Sequence, residues 1–424
     1  MRGSPRVLAL EVIRRVTDEA AFSNVVLPAL LARSTMKPAD RELATELAYG
    51  TLRRVLPIDH ALAPYVIKPL REAPPRARAA LRLGAYQLLY MRIPDHAAVT
   101  ETVGLVSRSE RGFVNAVLRR LAAEGVRWPA GLSAEAVSTR VGLAAWAIRE
   151  LRREVGDNME EAAAALATQA PLTLRTNPCR TTVDGLEARL RAAGHEPVRG
   201  RVHTGSLRLR RGRPEKLPGF DQGWFAVQDE ASSWVVDVLD PQPGELIVDV
   251  CAGPGGKAAD IACRAGSVVA ADVSLSRVSL VARSASRLGV QTLLVNQDAV
   301  RPAIRGGVDR VLVDAPCSGI GAARRRPELL WRPRRDDLRR LALLQLDIAA
   351  RAASLLRAGG VLVYSVCTFP AAETDEVCRD LLERAPELVP DSFVGPEGRK
   401  VARARLWPHV HGTDAMFVAR FRRK

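Results

Sequence analysis

Two cysteines stand where chemistry could be done. One apolar run, 310–313, leads into Asp314-Ala-Pro-Cys317-Ser-Gly-Ile-Gly321, and another, 361–364, leads into Ser365-Val-Cys367-Thr368. A lone free cysteine usually acts as a small buried apolar side chain. Two of them at the ends of successive strands, one beside an aspartate, would face one cleft if those strands are neighbours. Such a set suits alkylation of a poorly nucleophilic ring carbon such as C5 of cytosine. A thiolate adds at C6, an acid protonates N3, and C5 then takes a methyl from a sulfonium donor. A base finally removes the C5 proton and the thiolate leaves. Cys367, Asp314 and Cys317 could fill these roles, on a base that is unstacked or already single-stranded.

A donor site is legible upstream. Asp249-Val-Cys251-Ala252-Gly253-Pro254-Gly255-Gly256-Lys257 lets the backbone turn tightly and approach a ligand ahead of a helix N-terminus. The pattern is not G-x-G-x-x-G, which argues against a dinucleotide. Asp272 ends the next strand, where a carboxylate can accept from ribose hydroxyls. Asn296-Gln297-Asp298 follows the third strand, where an adenine amino group would lie. Loop, ribose acid and adenine acid in register fit S-adenosylmethionine better than NAD. Lys257 is one of only six lysines among 63 basic residues. A compact ammonium near the methionine carboxylate or a substrate phosphate would account for it.

These residues need an open parallel sheet to position them. From about 227 the pattern is β-α-β-α, with strands expected at 246–250, 268–271, 292–295, 310–313 and 361–364 and a long helix at 337–356. That is an α/β Rossmann-like domain over 227–424 with ligands beyond the strand ends. Residues 146–226 read as a small α+β (RRM-like) domain, with strands at 172–177 and 206–210 and a helix at 183–193. Residues 1–145 read as helical, with Val7, Leu8, Val12, Ile13 and Val16 at helical spacing. The pattern continues through 43–52, Pro74-Pro75 and Ile93-Pro94 punctuate it, and 111–120 form an amphipathic helix with a basic end. Two or three domains suit a chain of 424 residues.

A net charge of +16 and a pI near 10.4 favour a polyanionic partner, although an arginine-rich composition would produce the same surplus. The surplus is uneven: 22 Lys and Arg stand against 14 Asp and Glu in 1–150, and 11 against 6 in 301–350. The segment 324–340 holds eight arginines and three acids. Beside the loop of Cys317, Arg324, Arg325 and Arg326 are expected to contact RNA phosphates, a solvated helix face being the plainer alternative. Cysteines 179, 251, 263, 317, 367 and 378 form no C-x-x-C pair or His/Cys cluster, so neither a disulfide framework nor a metal site is expected, and each cysteine is judged by its surroundings. With no apolar run of about 20 residues and no signal sequence, a cytoplasmic protein is expected, and nothing demands more than a monomer.

The sequence resembles the RsmB/Fmu (Sun) family of bacterial 16S rRNA cytosine-C5 methyltransferases. The residues carrying the resemblance are Val227-Gln-Asp-Glu-Ala-Ser232, Cys251–Lys257, Asp314-Ala-Pro-Cys-Ser318, Arg324-Arg-Arg-Pro-Glu-Leu-Leu-Trp331 and Val366-Cys-Thr368, with Pro408-His409 and Gly412-Thr-Asp414. Ala48-Tyr-Gly50 and Asn115-Ala-Val-Leu-Arg119 liken the first 145 residues to a NusB-like helical RNA-binding domain. The resemblance implies a class I S-adenosylmethionine-dependent methyltransferase domain behind that domain and the small α+β one. It implies that Cys367 is the nucleophile and Cys317 aids product release, with Asp314 and Lys257 completing the catalytic group. It further implies that the segment from Cys251 to Lys257, Asp272, Arg277, Asp298 and Asp314 hold S-adenosylmethionine. By contrast, a Pro-Cys cysteine such as Cys317 is the nucleophile in DNA cytosine methyltransferases. Departures from the family pattern lie beside these groups: Val366 before the nucleophile, Pro370-Ala-Ala-Glu373-Thr374 after it, Arg326 before Pro327, and Ala415-Met-Phe417. Methylation of tRNA and a catalytically inactive RNA-binding assembly factor are the competing readings.

Overall fold

In the computed structural model, which describes residues 4–210 and 212–424, the apolar positions of the N-terminal third line one side of successive helices. Leu8, Val12, Ile13 and Val16 of the helix Pro5–Asp18 pack with Leu47 and Leu52 of Pro38–Arg53, Leu81 and Leu83 of Pro75–Tyr90, and Val114 and Leu118 of Arg108–Glu124. The last of these extends the expected helix 111–120 at both ends. Its start is held by a capping box in which Ser107 and Glu110 satisfy each other's backbone. Helices Ala134–Val141, Ala145–Val155 and Met159–Leu166 continue this layer, the first packing on Val55–Leu62. By contacts the chain falls into two compact units, the first running to residue 168 and also taking residues 323–333.

The segment 323–333 forms a strap that holds the first part of the arginine run. Glu328 is fully buried and accepts hydrogen bonds from the Ser23 amide at 3.3 Å and the Ser23 hydroxyl at 2.6 Å. Trp331 Nε1 donates to the Leu52 carbonyl at 2.9 Å, and Arg332 donates to the Val16 and Ala21 carbonyls at 2.7 Å each. Within the same segment Arg324 is 8% exposed, and Arg326 stacks over Phe22 at 4.6 Å and faces Glu328 at 3.9 Å. Arg325 is half-buried. Three arginines expected to contact phosphate are thus placed in a strap packed on the helical unit. Phe22, under Arg326, and Ser23, on Glu328, lie about 300 residues away in sequence, so spacing does not expose the strap.

The second unit comprises 169–322 and 334–424. Strands β1 (Leu172–Thr176), β2 (Val198–Arg199), β3 (Ser206–Leu209) and β4 (Phe225–Val227) form an antiparallel sheet ordered β2-β3-β1-β4. The helix Val183–Ala192 covers it with Leu186 and Leu190, against Leu174, Leu207 and Phe225. The segment after β1 reaches the helix Gly256–Ala265, where Cys179 and Cys263 are joined by a disulfide, a single bridge rather than a framework. Their separation of 84 residues hides the pair from any spacing rule. Asn177 beside them is buried and donates to the Gly223 and Leu288 carbonyls at 2.7 and 2.8 Å.

The larger sheet contains β5 (Ile247–Asp249), β6 (Val269–Asp272), β7 (Leu293–Asn296), β8 (Val308–Asp314) and β9 (Leu356–Val366), all parallel. After the short strand β10 (Leu388–Pro390) come a small hairpin of β11 (Phe393–Val394) with β12 (Lys400–Val401), then β13 (Arg403–Leu406) and β14 (Met416–Arg423). The order is β10-β14-β9-β8-β5-β6-β7, with β13 also paired to β14, and the C-terminal strands antiparallel. β5, β8 and β9 are inner strands covered on both faces, so they read as continuous apolar runs. The antiparallel addition was not foreseen. β14 begins with four buried apolar residues, ends in an arginine-rich half, and needs β9, about 50 residues earlier, to become a strand. The long helix Arg335–Leu355 falls within two residues of its expected bounds. No helix among the described residues is long and apolar enough to cross a membrane.

Glu328→Ala would leave the two Ser23 donors without their carboxylate in a dry interior. This should cost about 2 kcal/mol or more of stability, measured by denaturant unfolding of the full chain. Unchanged unfolding would show that the strap contributes nothing to the helical unit.

Candidate active site

The loop between β5 and the helix Gly256–Ala265 is closed in a way that only glycine permits. Gly255 has φ +107°, and a Cβ there would lie 2.9 Å from the Val281 Cα. A Cβ on Gly253 would come within 2.6 Å of both the Asp272 carboxylate and the Arg277 Cβ. Asp272, at the end of β6, holds this loop with both oxygens: Oδ2 accepts from the Gly253 amide at 3.0 Å and Oδ1 from the Ser274 amide at 2.9 Å. A carboxylate keeps lone pairs beyond those two bonds, enough for a sugar diol. Ala252 is buried and its amide donates to the Ala271 carbonyl at 2.8 Å, while Pro254 is exposed. Arg277 lies exposed in the first turn of the helix Leu275–Leu288.

Asp298 sits exposed after β7, one oxygen accepting from the Val300 amide at 2.9 Å. The neighbouring Asn296 side chain turns back to donate to the Asp272 and Val273 carbonyls. Glycine loop, Asp272 and Asp298 therefore stand at the ends of three adjacent parallel strands. These residues fit a nucleoside ligand. The Cys251 thiol is pushed well up, chiefly by burial, which makes it an inert member of the loop. Asp249 beneath it is pushed up to about 7, by burial first and then by Asp314.

The cysteine pair depends on β8 and β9 being neighbours. Asp314 lies opposite Ser365 in the parallel register, so both strands end at the same level. Just beyond, the Cys317 and Cys367 sulfurs are 3.4 Å apart. The Cys317 thiol is pushed well above its usual range, first by its hydrogen bond with Cys367 and then by burial. Asp314 accepts from Lys257 Nζ at 2.7 Å on one oxygen and from the Ser365 hydroxyl at 2.9 Å on the other. Burial disfavours the Lys257 ammonium, but Asp314 and then Asp249 outweigh it and raise its pKa. Lys257, expected near a carboxylate or phosphate of a ligand, is paired with Asp314 in this structure, by virtue of its place in the first turn of the helix after the glycine loop.

Spacing missed three groups here. Ser365 is marked only by its strand register. Glu373 and Gln345 join the segments of the two cysteines, through partners on four separate stretches of chain. The Gly321 amide also donates to the Cys367 carbonyl at 3.0 Å, and the Ala415 amide to the Gly321 carbonyl at 3.0 Å. Among the described residues no group of three or more His, Cys, Asp or Glu could hold a metal ion.

Comparison with known proteins agrees with this geometry. Residues 236–422 match the family described as 16S rRNA methyltransferase RsmB/F, 4–123 the NusB family, and 143–214 the ferredoxin-like domain of RsmF/B-like methyltransferases. The chain is 34% identical to a probable ribosomal RNA small subunit methyltransferase B of Bacillus subtilis, covering 99% of both chains. It is 34% identical to the ribosomal RNA small subunit methyltransferase B of Vibrio cholerae, over 98% of this chain and 96% of that one. Among solved structures, a methyltransferase homolog protein from Pyrococcus horikoshii is 26% identical with a TM-score of 0.59, over 70% of this chain and 100% of that one. The chain belongs to the RsmB/F methyltransferase family, with a NusB-type helical domain ahead of its ferredoxin-like and catalytic domains.

Proposed function

We propose that the chain methylates C5 of a cytosine in 16S rRNA, using S-adenosylmethionine and a covalent Cys367–C6 adduct. The observation that carries this reading is the 3.4 Å pair of Cys317 and Cys367 beside the Lys257–Asp314 ion pair. A methyltransferase that acts on a nucleophilic nitrogen or oxygen has no use for two cysteines there. Bound over the glycine loop, between Asp272 and Asp298, S-adenosylmethionine supplies an electrophilic methyl group. Cys251, Ala252, Gly253, Pro254, Gly255, Gly256, Lys257, Arg277 and Asp314 complete its surroundings.

Cys367 adds to C6 as the thiolate while the proton of the pair stays on Cys317, whose sulfur lies 3.4 Å away. Asp314 accepts from the 4-amino group and faces N3, and Lys257 supplies through it the proton that N3 takes as the ring loses aromaticity. The Ser365 hydroxyl keeps the carboxylate aimed. After C5 is methylated, Cys317 releases its own proton to solvent and takes the C5 proton in its place, so one proton leaves per turnover. The C6–S bond then breaks, N3 returns its proton to the Asp314–Lys257 pair, and the Cys367 thiolate is regenerated. A net charge of +16 supports a polyanionic substrate, and the NusB-type domain supports its docking on RNA.

The deciding experiment incubates the protein and tritiated donor with unmodified 16S rRNA, 23S rRNA and tRNA, then identifies the labelled nucleoside. Label is expected on 16S rRNA as 5-methylcytosine. Label on tRNA alone would keep the chemistry and change the substrate, whereas no label on any RNA would favour an assembly factor without activity. Cys367→Ala should lower turnover by more than about a thousandfold. Cys317→Ala should slow turnover about a hundredfold while an RNA–protein adduct accumulates on denaturing gels. Absence of that adduct would remove Cys317 from product release. Asp272→Ala should raise the Kd for S-adenosylmethionine by roughly ten- to a hundredfold, the value of one or two charge-assisted hydrogen bonds. Calorimetric titration without RNA checks it.

A further inference from the structure

We infer that Glu373 is a positioning residue that sets the distance between Cys317 and Cys367, an inference that rests on the pair acting as proposed. The two cysteines lie on different strand ends, so nothing in either strand alone fixes their separation. Glu373 is fully buried in the segment after Cys367. Its Oε1 accepts from the Ser318 amide at 2.8 Å and from Gln345 Nε2 at 2.9 Å. Its Oε2 accepts from the Ser318 hydroxyl at 2.5 Å and from the Thr368 hydroxyl at 3.3 Å. Ser318 follows Cys317 by one residue and Thr368 follows Cys367 by one, and their hydroxyls are 2.7 Å apart.

One carboxylate therefore ties together the residues directly after both cysteines. Gln345 extends the tie to the other side of Cys317, because its Nε2 also donates to the Pro316 carbonyl at 3.0 Å. The Tyr364 hydroxyl closes the network, 3.0 Å from Gln345 Oε1 and 2.7 Å from the Glu373 carbonyl. Four donors offset the cost of burying the carboxylate. A carboxylate suits the position because it accepts on both oxygens, whereas an amide presents one acceptor and one donor. Glu373 is sealed from ligand, so its effect must pass through the cysteines. In the reaction Cys317 has to follow a sulfur that alternates between free thiolate and thioether, and an error of about 1 Å in such an arrangement costs on the order of a hundredfold in rate.

The test uses the full chain with Glu373→Gln, Thr368→Val and Thr368→Ser, beside wild type, Cys317→Ala and Cys367→Ala. Thr368→Val removes one arm of the tie and leaves the carboxylate three donors, so it remains informative if Glu373→Gln fails to fold. Glu373→Gln and Thr368→Val are expected to lower kcat about ten- to a hundredfold with KM for donor and RNA within about twofold of wild type. Thr368→Ser should recover most of the loss. The second readout is binding of phenylarsine oxide, which bridges two thiols only when they are held adjacent. Wild type should bind it through Cys317 and Cys367, Cys317→Ala should not, and Glu373→Gln and Thr368→Val should bind at least about tenfold more weakly. Wild-type kcat and wild-type arsenical binding in Thr368→Val and in any folded Glu373→Gln would overturn the inference. A wild-type protein that makes no 5-methylcytosine would instead overturn the proposed reaction, and the arsenical arm would still decide whether Glu373 sets the spacing.

Discussion

β8 and β9 run parallel and in register, and the rest of the site depends on that pairing. With Asp314 opposite Ser365, the chain leaves both strands at one level, and the two turns beyond carry cysteines whose sulfurs touch at 3.4 Å. A shift of one residue in register would turn every side chain of one strand to the other face. Asp314 would then lose Ser365, and the cysteine turns would no longer meet. The buried apolar residues on both sides of these strands make such a slip costly, so ordinary core packing holds the chemistry in place.

The charged groups of the site form a short series under the strand ends. Asp249, Lys257, Asp314 and Ser365 bring two carboxylates, an ammonium and a hydroxyl into a region poor in water. The lysine ammonium could not be buried there alone without large cost, and Asp314, its side chain 31% exposed, supplies the counter-charge. Asp249, deeper and without such a partner, is raised to about 7. Glu373 shows a different solution to the same problem, four hydrogen-bond donors around one carboxylate. The helix after the glycine loop serves both halves of the site, since its first turn closes the ligand cradle and also carries Lys257.

The helical unit is completed by a segment from the far side of the sequence. Residues 323–333 begin just after the turn of Cys317, and Glu328, Trp331 and Arg332 are bound to carbonyls and donors of helices more than 270 residues earlier. Arginine supplies several donors in a rigid fork, which suits it to saturating carbonyls at the ends of helices. Arg332 thus serves protein carbonyls, and Arg326 lies over the Phe22 ring.

Apolar periodicity and the glycine loop were enough to read a helical, a small α+β and an α/β region, the parallel strands to within a few residues, and the places of Cys317, Cys367, Asp314 and Asp272 at strand ends. Those features are local: a strand followed by a turn with an unusual residue is visible in a dozen positions. Pairings between distant segments were not visible, because spacing along a chain carries no record of contacts across it. The disulfide of Cys179 with Cys263, the strap on the helical unit, the antiparallel strands after β9, the partner of Lys257 and the tie made by Glu373 all belong to that class. The sequence by itself determined which reactive groups are present and on which strand ends they lie. The tertiary structure alone decided which of them touch, since contact follows from strand order and register rather than from position in the chain.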